Sequence, residues 1–563
     1  YTVTTFDGGG NNEMYVIRDE IADFTKLPYF GKTGTKIKVT GKADDTSSDY
    51  WVSYTGNGVW SECIAPATNL GVDDTKMPHA LINNNDGTFS FRKQSYVNRD
   101  AGDIDTNPNP TFIGTAIQNL TFYKNRLGIL SGENLILSGN ADYFNWFATT
   151  VVQVLDTDPI DIAASGNRVN TLKNSISFNE TLLLFSDTAQ YKLASSGEAI
   201  SPTTAVLNEV STFSHDANVA PVSSGQYAYF AQNRNNNTAI REYYSDNDTL
   251  TNDGLDITVA VQTLLPTNAY QIISNTTEDV LALLCSDTAD AQTAPYATGS
   301  NVTATNADTL YVYKYFFDKG EKVQTSWSKW VFEGVKILGA MSDRSNIYLF
   351  AAEGQTTKLF KIDLQNLADS PIAFNVYVDL KKTVTGTYDA ATGKTTFTSP
   401  YGAKAGLMAI NATTGANYTA TNTTGSTYTI EGNYTSLIIG VPYESKYTLS
   451  PQYVRENTGR GLMAITSGRY QIRTISFDYE NTGFFTVEVT PENRDTYTKE
   501  MNGYVIGFSG SVDNPATSSG TLVVPVQSRN TQFTLDVKSS SHLPLYIPSA
   551  EVEGYYHRRS KRI

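Results

Sequence analysis

The chain has 563 residues, 57 acidic against 42 basic side chains, a net charge of −15, and more Tyr (35) than Phe (25). A surface that grips nucleic acid through clustered Lys and Arg is excluded, because phosphate neutralisation dominates such binding. A disulfide scaffold is excluded by the cysteine count of two, and a membrane helix by the lack of any apolar run near ~18 residues. Abundant Gly, Thr, Asn and Ser with many aromatics describe a mainly β chain rich in turns. The acidity has two readings: it keeps a large protein soluble, or it lines a passage along which like charge lets DNA slide. The first residue is Tyr1, so an earlier start is expected and a missing signal peptide carries no information.

In chain order, Tyr15 to Thr25 is a helical candidate. Lys36 to Val39, Tyr50 to Tyr54 and Val59 to Cys63 follow, with Gly56-Asn57-Gly58 as a turn, and predict a hairpin with one aromatic face. This segment reads as part of an N-terminal α+β domain over 1–75. Met77 to Ile82 and Thr88 to Phe91 flank Asn83-Asn84-Asn85-Asp86-Gly87, a second hairpin.

Next, Ile117 to Tyr123, Leu127 to Leu130 and Leu135 to Leu137 are apolar runs. Lys124-Asn125-Arg126 and Ser131-Gly132-Glu133-Asn134 separate them as turns. That is a β-meander, capped by the aromatic cluster Tyr143 to Phe147. Similar units begin near Ile117, Val169, Val219, Tyr270 and Val335. The longest interval holds a loop-like insertion from Asp287 to Asp308. Four short strands recurring every ~50 residues predict a β-propeller of five to six blades over 76–372. Trp327 and Trp330 fall on an outer strand, packing on an adjacent blade. A string of unrelated antiparallel sheets is the plainer alternative. Residues 373–469 read as a Thr/Gly/Asn-rich β domain at a tip or insertion, and 470–563 as a C-terminal β domain with sandwich-like alternation.

Chemistry is sparsely marked. Asp103-x-Asp105-x-Asn107 opens like a calcium loop, but Pro108 and Gly114 stand where glycine and glutamate are needed, so a side-chain-stabilised turn is expected. Asp156, Asp158 and Asp161 are the acids a glycosidase would need, with no second acid marked across from them. His79, His215, His542 and His557 have no ligand spacing, and Cys63 and Cys285 read as separate buried thiols. No phosphate loop, dinucleotide fingerprint or G-x-S-x-G motif occurs. No catalytic, cofactor or metal site is therefore assigned. The basic end, His557 to Arg562, suits a solvated terminus or a contact with DNA or an acidic partner.

Several contiguous runs carry a resemblance. They are Met77-Pro78-His79-Ala80-Leu81, Gly102 to Pro108, Asn125-Arg126-Leu127-Gly128, Leu130 to Asn134, Ile136-Leu137-Ser138, Tyr143-Phe144-Asn145 and Asp158-Pro159-Ile160-Asp161. Asn167-Arg168, Ser186-Asp187-x-Ala189-Gln190, the Gln324 to Phe332 tryptophan segment and Tyr479 to Gly483 continue it. The chain resembles the nozzle protein (tail tubular protein B) family of short-tailed, autographivirus-type phages, most densely from about residue 30 to 200. The resemblance implies a non-enzymatic virion tail protein, made in the host cytoplasm. It implies a homo-hexameric ring that forms and gates the distal DNA-ejection channel. Its implied partners are a tail adaptor ring (tail tubular protein A type), tail fibres and the host cell surface at the tip. Double-stranded DNA would pass through the lumen without sequence-specific binding. A glycan depolymerase or carbohydrate-binding protein is the alternative from the residues alone.

Overall fold

The computed structural model describes residues 17, 19–40, 49–166, 169–195, 199–245, 252–286, 307–318, 321–353, 356–365, 367–457, 462–502, 515 and 517–558. Most of the Asp287 to Asp308 insertion, Asn167-Arg168 and the chain end from Arg559 lie outside these residues. The chain divides into two compact units, Tyr1–Gln365 and Asn366–Ile563.

In the first unit, strands β1 (Glu20–Ile21), β2 (Lys36–Val39), β3 (Tyr50–Gly56) and β4 (Val59–Glu62) form one sheet in sequence order. The turn from β3 to β4 holds Gly56, Asn57 and Gly58 all at positive φ, which Gly and Asn tolerate best. The helix expected over Tyr15 to Thr25 is not formed by its described residues. They give β1 and the start of a 3-10 turn at Phe24–Lys26, with Asp23 accepting from the Thr25 amide. Ile21 sits on the small core of Ile37, Val39 and Val52, and that burial overrides a weak local preference. The α component of the expected N-terminal domain is thus absent among the described residues. Among the described residues, strands β5 (Ala80–Asn83) and β6 (Phe89–Arg92) pair only with each other.

Five meander sheets follow. The first contains β7 (Ile117–Tyr123), β8 (Arg126–Ser131), β9 (Asn134–Leu137) and β10 (Ile160–Ala163). The second contains β11 (Leu172–Phe178), β12 (Thr181–Ser186), β13 (Gln190–Ser195) and β14 (Ala205–Ser211). The third contains β15 (Val222–Ser224), β16 (Tyr227–Arg234), β17 (Asn237–Ser245) and β18 (Asn252–Asp256). The fourth contains β19 (Ala269–Asn275), β20 (Val280–Cys285), β21 (Thr309–Asp318) and β22 (Glu321–Val331). The fifth has β23 (Lys336–Asp343), β24 (Asn346–Glu353) and β25 (Thr356–Asp363). Every one is antiparallel with neighbours in sequence order, and the sheets begin within three residues of the expected repeat starts.

Each pair of successive sheets encloses a core. Leu130, Leu135 and Leu137 meet Leu182, Leu184 and Tyr191 between the first and second. Phe178 and Phe185 meet Phe230 and Tyr243 between the second and third. Tyr229 and Ile240 meet Leu281, Leu283 and Tyr313 between the third and fourth. Leu284 and Val312 meet Ile337, Ile347 and Leu349 between the fourth and fifth. First strands of consecutive sheets touch in succession, β7 to β11, β11 to β15, β15 to β19 and β19 to β23. The two tryptophans of β22 serve opposite sides: Trp327 packs on the core shared with the third sheet, Trp330 on that shared with the fifth.

Burial of the second strand in each sheet reports how many of its faces are covered. β8, β12, β16 and β20 are buried almost without interruption, as a strand covered on both faces must be. β24 instead alternates, with Ile347, Leu349 and Ala351 buried and Phe350 exposed. Only one of its faces is covered. The outer face of the first sheet is closed at Ile129 and Ile136 by Met77, Phe112 and Trp146, while Leu120 and Phe122 stay exposed.

Among its described residues the second unit holds two pairs of sheets and a two-stranded ladder of Arg455–Asn457 with Leu462–Ala464. Asp379–Thr385, Ser436–Val441, Met408–Asn411 and Asn417–Thr419 form one sheet, and Thr387–Asp389, Lys394–Thr398, Thr427–Glu431 and Thr421–Thr424 another. Phe397, Leu407, Tyr428, Leu437 and Ile439 form their common core. Beyond it, the sheet around Phe484–Pro491 and Phe533–Ser539 shares Phe485, Val487, Leu535 and Val537 with Ile475, Phe477 and Val524 of the sheet around Arg469–Thr482. Alternating burial along these strands builds that core.

Candidate functional site

The motif-bearing residues between Glu62 and Asp161 converge, and what they form is a bracing network. The Asp103 carboxylate accepts from the Asp105 and Thr106 amides and the Thr106 hydroxyl at 2.9–3.0 Å. Burial pushes its pKa up, but these hydrogen bonds outweigh burial and hold it below the usual carboxylate range. Asn107 donates to the Ala101 and Ala148 carbonyls and accepts from the Ala148 amide, joining loops 41 residues apart. Glu62 accepts from the Val151 amide and the Thr150 hydroxyl, tying β4 to the same loop.

The acids weighed as a glycosidase pair are committed in the same way. Asp158 is buried and accepts from the Thr149 and Leu155 amides at 3.0 and 2.9 Å. Asp161 accepts from the Thr111 amide and hydroxyl and from Asn134. Asp156 is exposed, and its carbonyl, not its carboxylate, is held by Arg126. A cleft of about 180 Å³ nearby is lined by Tyr123, Lys124, Arg126, Leu137 and Asn140, without a carboxylate and below the size of ordinary ligand sites.

The histidines are dispersed. His79 stacks on Phe91, His542 is buried against the Gly415 carbonyl, and His557 is exposed at the end of the last strand. Arg558 stands 3.8 Å from Glu456, with the rest of the basic end outside the described residues. Cys63 is half-buried and Cys285 buried, and both are free. Among the described residues no group of three or more His, Cys, Asp or Glu could hold a metal ion.

His215 carries a pH dependence. It lies between Phe185 and Phe230, with its Nε2 accepting from the Asn174 amide group at 3.0 Å. Burial drives its pKa down to about 4 from 6.5. The unfolded chain takes a proton below pH 6.5 while the folded chain does not, so stability is complete above that pH and falls between 6.5 and about 4. The shift corresponds to about 3 kcal/mol at the acid end. Denaturation midpoints measured across this range should fall for the wild type and change less for His215→Phe. Equal slopes would refute the assignment.

Two arrangements were not legible as sites. Arg99 is buried, donating to the Asn69 carbonyl and to Asn109, with its guanidinium 4.6 Å from the Phe147 ring centroid. Lys322, on β22, reaches between the third and fourth sheets into a cage of Tyr227, Tyr229, Tyr313, Tyr315 and Phe317 and pairs with Glu242. Tyr229 donates to the same carboxylate at 2.8 Å, and burial, then Glu242, raises its pKa strongly. Glu242 is eighty residues from its lysine, and no local pattern joins them.

At these residues the geometry gives braces, with the Asp103, Asp158 and Asp161 carboxylates each held by backbone amides. The family model described as bacteriophage nozzle protein matches residues 1–563. The chain belongs to the bacteriophage nozzle protein family. It is 31% identical over 584 aligned residues to the tail tubular protein gp12 of Escherichia phage T7, covering all of this chain and 71% of that protein. This nozzle-family chain is accordingly a structural component of a phage tail, located in the virion and assembling with other tail components. Two solved structures are distantly similar to it. Kluyveromyces marxianus Hsv2 has a TM-score of 0.26 and 11% identity, covering 54% of this chain and 79% of that one. The exo-β-1,3-galactanase of Phanerochaete chrysosporium has 0.21 and 10%, covering 77% and 95%. Likeness at that level carries no argument about fold or activity.

Proposed function

We propose that this nozzle-family subunit forms a closed ring of six copies that makes and gates the distal DNA-ejection channel. The observation that carries the reading is the family match along the whole chain. In this reading the ring meets an adaptor ring of the tail tubular protein A type, carries tail fibres, and presents its tip to the host surface. Double-stranded DNA slides through a predominantly acidic lumen without sequence-specific contacts, consistent with the net charge of −15. Loops into the lumen form the gate, with two arrangements that differ by a few kcal/mol and are biased by contact at the cell surface.

The five meander sheets are the blades of a β-propeller, a reading supported by their successive first-strand contacts and shared cores. The segments 1–75, 76–372, 373–469 and 470–563 act as platform, propeller, tip or insertion, and C-terminal domain. The role is mechanical and not enzymatic, supported by the commitment of Asp158 and Asp161 to backbone amides. Native mass spectrometry of the assembled protein should give six copies, and a persistent monomer would contradict the ring. Incubation with host capsule should release no reducing sugar. Release that Asp158→Asn or Asp161→Asn abolished would make the protein a depolymerase instead.

A further inference from the structure

The turn between β3 and β4 couples a reactive dipeptide to a group that restrains it. Asn57-Gly58 spans the closing pair of Gly56 and Val59. Asn57 has a φ of 53° and Gly58 one of 80°, left-handed values that Asn and Gly accept best. Space demands glycine as well, since a Cβ at position 58 would strike the Tyr29 ring. A glycine after an asparagine leaves the intervening backbone nitrogen unshielded, within reach of the asparagine carboxamide carbon. The Asn57 side chain is exposed and has no hydrogen-bond partner among the described residues, so it is free to turn onto that nitrogen. The nitrogen itself is held. Its N–H donates to the Tyr54 hydroxyl at 3.0 Å, and that hydroxyl donates onward to the Tyr29 carbonyl at 3.0 Å. Tyr54 is buried, with its ring against Trp60.

We propose that Asn57 is a site of spontaneous deamidation whose pace is set by Tyr54. The Gly58 nitrogen loses its proton and attacks Asn57 Cγ. The new N–Cγ bond closes a succinimide ring, and the side-chain nitrogen leaves as ammonia, carrying the proton that Gly58 gave up. Water then opens the ring at either carbonyl to give aspartate or isoaspartate, with nothing oxidised or reduced. The hydrogen bond to Tyr54 slows the first step, because it favours the protonated amide and aims the nitrogen away from Cγ. The comparable steps in the chain differ. The Asp86 carboxylate before Gly87 is committed to the Thr88 amide and hydroxyl. Asp253 before Gly254 is a carboxylate, which gives up water only when protonated. Asn502 precedes Gly503, which lies outside the described residues. Isoaspartate at position 57 adds a methylene to the main chain of a loop with no slack between Gly56 and Val59, so conversion loosens that end of the β3–β4 ladder.

The test follows the full chain at mildly alkaline pH by peptide mapping with mass spectrometry. Aspartate and isoaspartate should accumulate at residue 57, each about one dalton heavier than the starting peptide. Conversion should be slower in the folded wild type than in the same chain held in denaturant, a comparison that needs no variant to fold. Tyr54→Phe keeps the ring and removes the acceptor, so its folded form should convert about five-fold faster than wild type, the rate equivalent of one ordinary hydrogen bond. In denaturant the two chains should convert at a common rate. An Asn57 that stays intact in both folded proteins after the denatured chains have converted would overturn the site. Folded wild type and Tyr54→Phe converting at the same rate would overturn the role of Tyr54.

Discussion

Arg126→Ala should destabilise the first unit by about 4 kcal/mol, the summed cost of leaving several buried carbonyls without a donor. The buried guanidinium donates to the carbonyls of Ser138, Asp158 and Asp156 at 2.6–2.7 Å. Those three acceptors lie at the end of the first meander and on the loop returning to β10, so one side chain fixes where the fourth strand begins. Burial lowers the Arg126 pKa from its usual value, but the group stays charged, and charge strengthens each bond. Arg126→Lys should restore only part of the loss, because an ammonium cannot present a planar fork to three acceptors. Denaturant titration gives the stability change, and limited proteolysis should cut first between residues 139 and 158. An alanine variant within ~0.5 kcal/mol of wild type would show that the carbonyls find other donors.

Lys322→Met should cost about 3–5 kcal/mol, since it leaves the Glu242 carboxylate buried without its cation. The Lys322 ammonium lies 4.8 Å from the Tyr227 ring centroid and 5.0 Å from that of Tyr315, and the Glu242 side chain is almost fully buried. The double variant Lys322→Met/Glu242→Gln should recover most of that loss. It removes both charges together while keeping an acceptor for the Tyr229 hydroxyl. The double-mutant cycle, read by calorimetry on the first unit, separates pairing from packing. Additive losses would mean that the lysine acts only through its contact with the rings. Because this pair ties β17 of the third sheet to β22 of the fourth, its loss should loosen one inter-sheet joint and leave the others native.

Legibility of the sequence tracked the range of the interactions involved. The meander turns were readable because they depend on backbone conformations that few residues accept: Lys124 and Asn125 both have positive φ, as do Asn57 and Asn235 at their turns. The repeat was readable because each unit must cover the next, which leaves apolar strands at a fixed spacing. The local pattern puts Arg126 in the turn, whereas it opens β8 with its side chain buried, since nothing local reveals three distant carbonyls. Asp158 and Asp161 drew attention as possible acids for the same reason: a carboxylate that caps amides and one that protonates a sugar look alike until the partners are seen. The β10 strand at Ile160–Ala163 was hidden behind those acids. The helix expected near residue 20 gave way to a strand once Ile21 found Val39 as its parallel neighbour.

These details bear on function through rigidity. In the ring proposed above, the stiffness a channel needs would come from five sheets sharing inter-sheet cores, with Lys322 joining the third to the fourth. The most direct test is a cryo-EM map of the assembled protein, with the charge of the residues facing the axis read from it. A six-fold ring whose axial channel is open to the passage of a duplex and walled mainly by Asp and Glu is the predicted result. A solitary particle without a channel, or a ring whose wall is strongly basic, would contradict it.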